Sequence, residues 1–459
     1  MSTPYHDHDL QHFDVIIVGA GSGNMIPGPQ MDTWRLAIVE PDKFGGTCLN
    51  RGCIPSKMLI YAAEVIETAR HGSQIGVYHR LERVDWQRVV GRLWEKIDPI
   101  AAAGADYRAT QNNVTVFDAP ARFVDQRVLE TGGQYITAER IVLAAGSRPL
   151  LPDLPGLADI PYHTSDTVMR LPTQPASMLI IGGGYVGAEM AHFFGSLGTQ
   201  VTIVDHGEVL LKREDDDVAQ AFTTRYQERF NVLLNARAQR VSASANGVTV
   251  HFDVAGHAHD VTAEVILFAS GRRPNSDQLD VAAAGIEVDS RGRVLTDTSM
   301  ETSVPGIYAL GDLASGHALK HTANAEARHI AKLLLGHDKH PLAYDGVPHA
   351  VFAAPQVASV GLTERQAQQQ GVPYITSKRM VADTAYGWAS ADTTSFVKLV
   401  ADPQTRQLLG AHIMGPQASV LLQALVQGMK YGQTVDEMAQ VIYIHPALTE
   451  VVEQALLEL

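Results

Sequence analysis

Short runs of unbroken apolar residues, several ending in glycine, punctuate this chain. Phe13–Ala20 reads FDVIIVGA, and Ser177–Gly184 repeats the pattern as SMLIIGGG. Such a run is shorter than a typical helix, rich in β-branched side chains and lacks polar alternation, so it predicts a strand buried on both faces of a parallel sheet. Arg140–Pro149 and Glu264–Asn275 have the same character and predict strands closing each of two similar sheets. The organisation is duplicated. Gly306–Asp312 predicts a further buried strand, and the helical spacing of Ala318–Leu335 follows it, returning the chain to the first unit. From Tyr344 onward, FAAPQVASVGL, SFVKLVAD and LLGAHIMG predict strands, and Ser419–Tyr431, Val435–Gln440 and Leu448–Leu457 predict helices. That is the pattern of an α+β domain.

A chain of 459 residues exceeds one ordinary core, and about one domain per 150 residues suggests three. The expected fold is α/β, with two Rossmann-like dinucleotide-binding domains and a C-terminal α+β domain. The boundaries fall at 13–150 with 276–343, then 151–275, then 344–459. A hydrophobic fraction of 45% with 19% charged residues is an ordinary folding composition. The formal charge of -14 repels a phosphate backbone, and nucleic-acid binding is not expected. No apolar run approaches the roughly 18–20 residues needed to span a bilayer, so no membrane association is expected. Met1–His12 is polar and His-rich without an apolar signal core, which predicts a disordered extension and a cytoplasmic protein. The two cysteines suit a reducing compartment, where a disulfide is more often catalytic than structural.

Both apolar runs lead into glycine turns. Gly19-Ala-Gly21-Ser22-Gly23-Asn24 follows the first strand, and Glu40 ends the next one, 21 residues after Gly19. The turn lets backbone N–H groups approach a pyrophosphate, and the acid receives ribose hydroxyls; FAD fits such a site. Asn24 occupies the third glycine position, and Pro27 and Pro29 follow within the expected helix, so that helix is short or irregular. The second turn, Gly182-Gly-Gly184-Tyr185-Val186-Gly187, has the full spacing and predicts a nicotinamide site. Its next strand ends at Asp205, which favours the unphosphorylated ribose of NADH, yet His206, Lys212 and Arg213 would neutralise a 2′-phosphate if they converge. His317 and His321 offer a metal-ligating spacing in principle, although no metal site is expected.

After Glu40 comes Gly45-Gly46-Thr47-Cys48-Leu49-Asn50-Arg51-Gly52-Cys53-Ile54-Pro55-Ser56-Lys57, leading into a helical stretch through Arg70. Pro55 suits a first helical turn, and Cys53 just before it is placed to feel the N-terminal dipole, which would favour its thiolate. Near the C-terminus, His445-Pro446 precedes Glu450; a histidine can protonate a leaving thiolate and a carboxylate can hold its tautomer, although a His-Pro read alone is only a turn. With the cysteine motif and both glycine turns, these residues resemble the class-I flavin disulfide reductases, which include glutathione reductase, lipoamide dehydrogenase and mycothione reductase. The turn Gly21–Asn24, Tyr162–Arg170, Asp383–Ala389 and Gly410–Gly415 are similar to the mycothione reductases in particular.

The resemblance implies an enzyme that passes electrons from NADPH, or NADH, through FAD to a Cys48–Cys53 disulfide and on to a small disulfide, mycothione. It implies that Cys48 is the interchange thiol, that Cys53 lies against the flavin, and that Lys57 pairs with Glu189 near the flavin. Tyr185 would cover the nicotinamide face. Gly46, Thr47, Gly146 and Asp312 fall to the FAD site, and Gly271 to the nicotinamide site. It further implies a homodimer in which the His445–Glu450 pair reaches the other subunit's cysteines. Alternatives are a lipoamide dehydrogenase using NAD, supported by Asp205, and a non-catalytic FAD-binding interaction subunit. Mercuric and large thioredoxin reductases commonly use a further C-terminal redox pair, and Val451–Leu459 contains no cysteine.

Overall fold

The computed structural model describes residues 9–337, 340–344 and 346–459. The chain forms two compact units, one built from residues up to Pro55, Gly91–Leu150 and Arg272–Ala343, the other from Ser56–Val90, Leu151–Gly271 and Tyr344–Leu459.

In the first unit, Leu10–Val18 pairs in parallel with Leu36–Val39 on one side and Gln134–Leu143 on the other. Val114–Phe117 and Ile307–Ala309 extend the parallel part, and the hairpin strands Val128–Thr131 and Ala121–Asp125 complete a seven-stranded sheet. Val15, Ile16 and Ile17 are fully buried because both faces are covered, as the unalternating pattern requires. Each such side chain contributes roughly 1.5–3 kcal/mol by leaving water. The first strand starts earlier than its apolar run suggests. Leu10, Gln11 and His12 pair with Tyr135, Ile136 and Thr137, so the end of the expected disordered extension is strand; residues 1–8 lie outside the described part. Ladder hydrogen bonds hold these three residues although their side chains are mostly polar.

The second unit contains a five-stranded parallel sheet in the order Asn231–Leu233, Gln200–Val204, Ser177–Ile181, Val265–Phe268, His163–Thr164. The antiparallel strands Ala236–Ser244, Gly247–Val254 and His257–Ala263 accompany it. The same unit holds an antiparallel sheet of His349–Val351, Val357–Gly361, Leu408–Met414, Phe396–Ala401 and Ile375–Met380, with helices Ala418–Lys430, Val435–Ala439 and Glu450–Leu457. Two Rossmann-like sheets and a C-terminal α+β region are therefore present, as the chain's patterning predicts. Inside the second unit, Lys398 is only 4% exposed and pairs with Asp215, Asp217 and Glu364 at 2.6–2.8 Å, joining the parallel-sheet region to the antiparallel sheet. Three carboxylates keep this buried ammonium charged and push its pKa up against the desolvation that alone would lower it.

Candidate active site

The first glycine turn is shaped by contacts that leave no room for side chains. Gly19 has φ +108°, and a Cβ there would lie 2.3 Å from the Ala144 carbonyl oxygen. Gly21 and Gly46 face each other, and a Cβ on Gly46 would sit 2.8 Å from Gly21 Cα. Glu40 Oε2 accepts from the Ala20 amide at 2.8 Å and Oε1 from Asp42 at 3.1 Å. Burial nevertheless raises the Glu40 pKa, opposed by the Ala20 amide and Arg51. The expected irregularity after the turn is present as two short 3-10 stretches, Gly23–Met25 and Pro29–Met31, in place of a helix.

The carbonyl groups that a helix would have satisfied go to an arginine the sequence did not single out. Arg108, buried at 6% exposure, donates to Asn24 Oδ1 at 2.7 Å, to Asn24 O at 2.7 Å and to Pro27 O at 3.3 Å. Three further residues also escaped notice. Asp312 Oδ2 accepts from Ser147 Oγ at 2.6 Å, and Arg272 donates to that same hydroxyl at 2.7 Å. Glu326 is fully buried and accepts the Gly311 amide at 2.6 Å. Gly146, at φ +67°, turns the chain just before Ser147. Ser147 meets Asp312 and Arg272 across more than a hundred positions, which leaves no local signal for that contact.

Cys48 lies on the short helix Gly46–Arg51, and Cys53 opens the long helix Cys53–His71, with Gly52 between them. Asn50 fixes this bend from inside by donating to the carbonyls of Phe44 at 2.9 Å, Gly46 at 3.1 Å and Lys43 at 3.2 Å. Both cysteines are thiols, hydrogen-bonded to each other. That bond lowers the Cys48 pKa to about 7 against the desolvation of its sulfur, helped by the charge of Lys320. The same bond and burial push Cys53 upward. Cys53 opens the long helix, whose N-terminal dipole also favours a thiolate there. Lys320 itself donates to Ser22 Oγ at 3.0 Å, and Ser22 Oγ to Asn324 at 2.9 Å, so one network links the glycine turn and the cysteines.

In the second unit Gly182 repeats the geometry of Gly19, with φ +118° and a virtual Cβ 2.4 Å from the Ala269 carbonyl oxygen. Gly184 caps a regular helix, Tyr185–Ser196, that starts with the half-exposed Tyr185. Asp205 accepts from the Gly183 and Gly207 amides, both at 2.7 Å. His206 and Lys212 do converge, with Lys212 Nζ 2.9 Å from His206 Nε2. Gly271, at φ +128°, follows the strand Val265–Phe268.

Glu189, on the second turn of that helix, is buried and its pKa is raised to about 7 by desolvation, opposed by the Phe352 amide, Lys57 and Ser56. Its direct contacts are the Phe352 N–H at 3.0 Å and the Ser56 side chain. Lys57 instead places its ammonium 2.7 Å from Glu64 and 4.4 Å from the Phe352 ring centroid. At the C-terminus, His445 Nδ1 meets Glu450 Oε1 at 2.6 Å, and Glu450 Oε2 accepts from Ala447 N at 2.8 Å. Both contacts lower the Glu450 pKa, the imidazole first. The His445 ring is 72% exposed, oriented by the carboxylate yet open to an incoming group. Among the described residues no group of three or more His, Cys, Asp or Glu is arranged to hold a metal, His317 and His321 included, and no helix is long and apolar enough to cross a membrane.

Residues 13–327 match the family model described as pyridine nucleotide-disulphide oxidoreductase, and residues 347–456 match the dimerisation domain of that family. The chain is 43% identical to mycothione reductase of Mycobacterium tuberculosis over 98% of its own length and 100% of that protein. It is 33% identical to dihydrolipoyl dehydrogenase of Bacillus subtilis, covering 96% and 95% of the two chains. Among solved structures it resembles the HOCl-induced flavoprotein disulfide reductase of Escherichia coli, with a TM-score of 0.85, 28% identity and coverage of 96% and 99%. Together with a hydrogen-bonded cysteine pair and two glycine turns on parallel sheets, these matches show that the chain belongs to the pyridine nucleotide-disulphide oxidoreductases.

Proposed function

We propose that this enzyme reduces mycothione with electrons from NADPH, using FAD and the Cys48–Cys53 pair, and that it works as a homodimer. The observation that carries the chemistry is the thiol pair itself, Cys48 on one short helix and Cys53 at the start of the next, hydrogen-bonded to each other under the charge of Lys320. The first glycine turn fits FAD, since a Cβ at Gly19 or Gly46 would crowd it, and Ser22, Gly23, Glu40, Thr47, Gly146 and Asp312 are assigned to the same site with Gly21. Bound FAD supplies a two-electron carrier that accepts hydride from the nicotinamide and returns the electron pair to a disulfide.

The chain's own residues account for the thiol chemistry. In the reduced pair, the Cys48 thiolate attacks one sulfur of mycothione, forming a mixed disulfide and releasing the first mycothiol. His445 of the partner subunit, oriented as Glu450 orients it here, gives that leaving sulfur its proton. Cys53 then loses its proton and attacks Cys48, releasing the second mycothiol and closing the Cys48–Cys53 disulfide. Two electrons and two protons enter the substrate, and the closed pair awaits two electrons from the nicotinamide. Support for mycothione comes from the 43% identity to a mycothione reductase across the whole chain. NADPH is favoured by the convergence of His206 and Lys212.

Lipoamide with NAD is the second reading, favoured by Asp205 and by the similarity to dihydrolipoyl dehydrogenase. Anaerobic steady-state reduction of mycothione, oxidised glutathione and lipoamide, each with NADPH and with NADH, separates the two. Selective mycothione turnover with NADPH is expected; lipoamide turnover with the NAD pair as the preferred reaction overturns the substrate assignment and leaves the thiol chemistry intact.

A further inference from the structure

Lys57 stands among more acids than its expected partner. Its ammonium is 2.7 Å from Glu64, two turns further along the same helix, and Gln356 Nε2 approaches that same Glu64 oxygen at 3.5 Å. Phe352 lies on the other side of Lys57, with its ring beneath the ammonium and its N–H on Glu189. One aromatic residue thus touches both ends of a Lys57–Glu189 axis, while Glu64 draws the cation along the helix. Glu64 is 28% exposed in its side chain and Glu189 is buried, so solvent stabilises a charge on Glu64 far better than on Glu189.

We propose that Glu64 is a positioning residue: it holds the Lys57 ammonium on its own helix, and so decides how much of that single cation reaches Glu189. Every other group facing Glu189 is neutral or serves another partner. Ser56 and the Phe352 amide donate to it. On its own helix, His192 is fully buried and held neutral by desolvation, with Arg229 and Lys57 adding to the effect. From the facing helix Asp216–Arg229, Tyr226 gives its hydroxyl to Ala188 O at 2.8 Å, and Arg229 is engaged by Glu67 at 3.0 Å and by the Ala354 carbonyl at 2.6 Å. Among the described residues Lys57 is the cation left to settle the charge of Glu189, and Glu64 competes for it. A protonated Glu189 leaves Lys57 with Glu64; an ionised Glu189 pulls it across. The consequence for catalysis rests on the placement of Lys57 and Glu189 near the flavin that the family resemblance implies, where this shared cation would set the local potential.

The test is infrared titration of the Glu189 carboxyl in the FAD-loaded enzyme, isolated by subtracting the spectrum of the matching Glu189→Gln protein. With Glu64→Gln, Lys57 turns wholly to Glu189, and the midpoint should fall by about one pH unit, as expected when an opposite charge comes within contact distance. A midpoint that stays in place or rises overturns the proposal. Lys57→Met, followed by flavin reduction with NADPH, addresses the placement separately: an unchanged rate removes Lys57 from the flavin while the titration result stands.

Discussion

The two glycine turns begin alike and then part. Gly19 and Gly182 share positive φ values and the same close approach to a carbonyl on the neighbouring strand, Ala144 in one case and Ala269 in the other. At the third position the second turn keeps glycine because it must. A Cβ on Gly187 would lie 1.9 Å from the Gly182 carbonyl oxygen, where a regular helix packs onto the turn. The first turn has Asn24 and two prolines instead, and no helix follows, so the crowding that demands glycine never arises. Arg108 replaces the missing helix hydrogen bonds by binding the Asn24 and Pro27 carbonyls. A nucleotide turn therefore needs its first glycine for geometry, whereas the third is needed only where a helix packs against it.

The comparison can be broken most sharply at Arg108. Replacing it with Ala leaves one buried and two partly buried acceptors without their donor, and a loss of roughly 3 kcal/mol in the first unit is expected, with weaker FAD retention. Urea unfolding followed by flavin fluorescence measures both; a neutral Arg108→Ala would mean that the arginine does not stand in for the helix. Next in size is Gly187→Ala, which forces the second turn apart and should cost about 2 kcal/mol together with a higher KM for NADPH. Normal nicotinamide kinetics in that variant would show that the packing tolerates a methyl group. The smallest effect sharpens the contrast. Asn24→Gly restores the motif spacing, yet it should destabilise by about 1 kcal/mol because it removes the Asn24 Oδ1 acceptor from Arg108. A stabilised Asn24→Gly protein, seen as a higher thermal midpoint, would show that the motif governs after all.

Much of this was legible in the chain. The buried parallel strands, the glycine turns, the cysteine motif and the His445–Glu450 spacing all lie within short stretches, where period and spacing carry information. The irregular first helix was legible too, since Pro27 and Pro29 act locally. Arg108, Glu326, Ser147 and Glu64 were not. Arg108 and Ser147 meet partners far along the chain, Glu326 meets the Gly311 amide only once its helix packs back, and Glu64 looks like an ordinary helix residue until Lys57 is seen beside it. The helix start at Cys53 is visible in sequence, whereas the hydrogen bond between the two thiols is a property of their contact.

Cys48→Ser in the FAD-loaded enzyme is the most direct test of the central claim that this pair carries electrons between flavin and substrate. Anaerobic stopped-flow mixing with NADPH should show flavin reduction at close to the wild-type rate, while steady-state disulfide reduction falls to background. Disulfide turnover within a few-fold of wild type would contradict the assignment of Cys48 as the attacking thiol, and with it the electron path proposed for this protein.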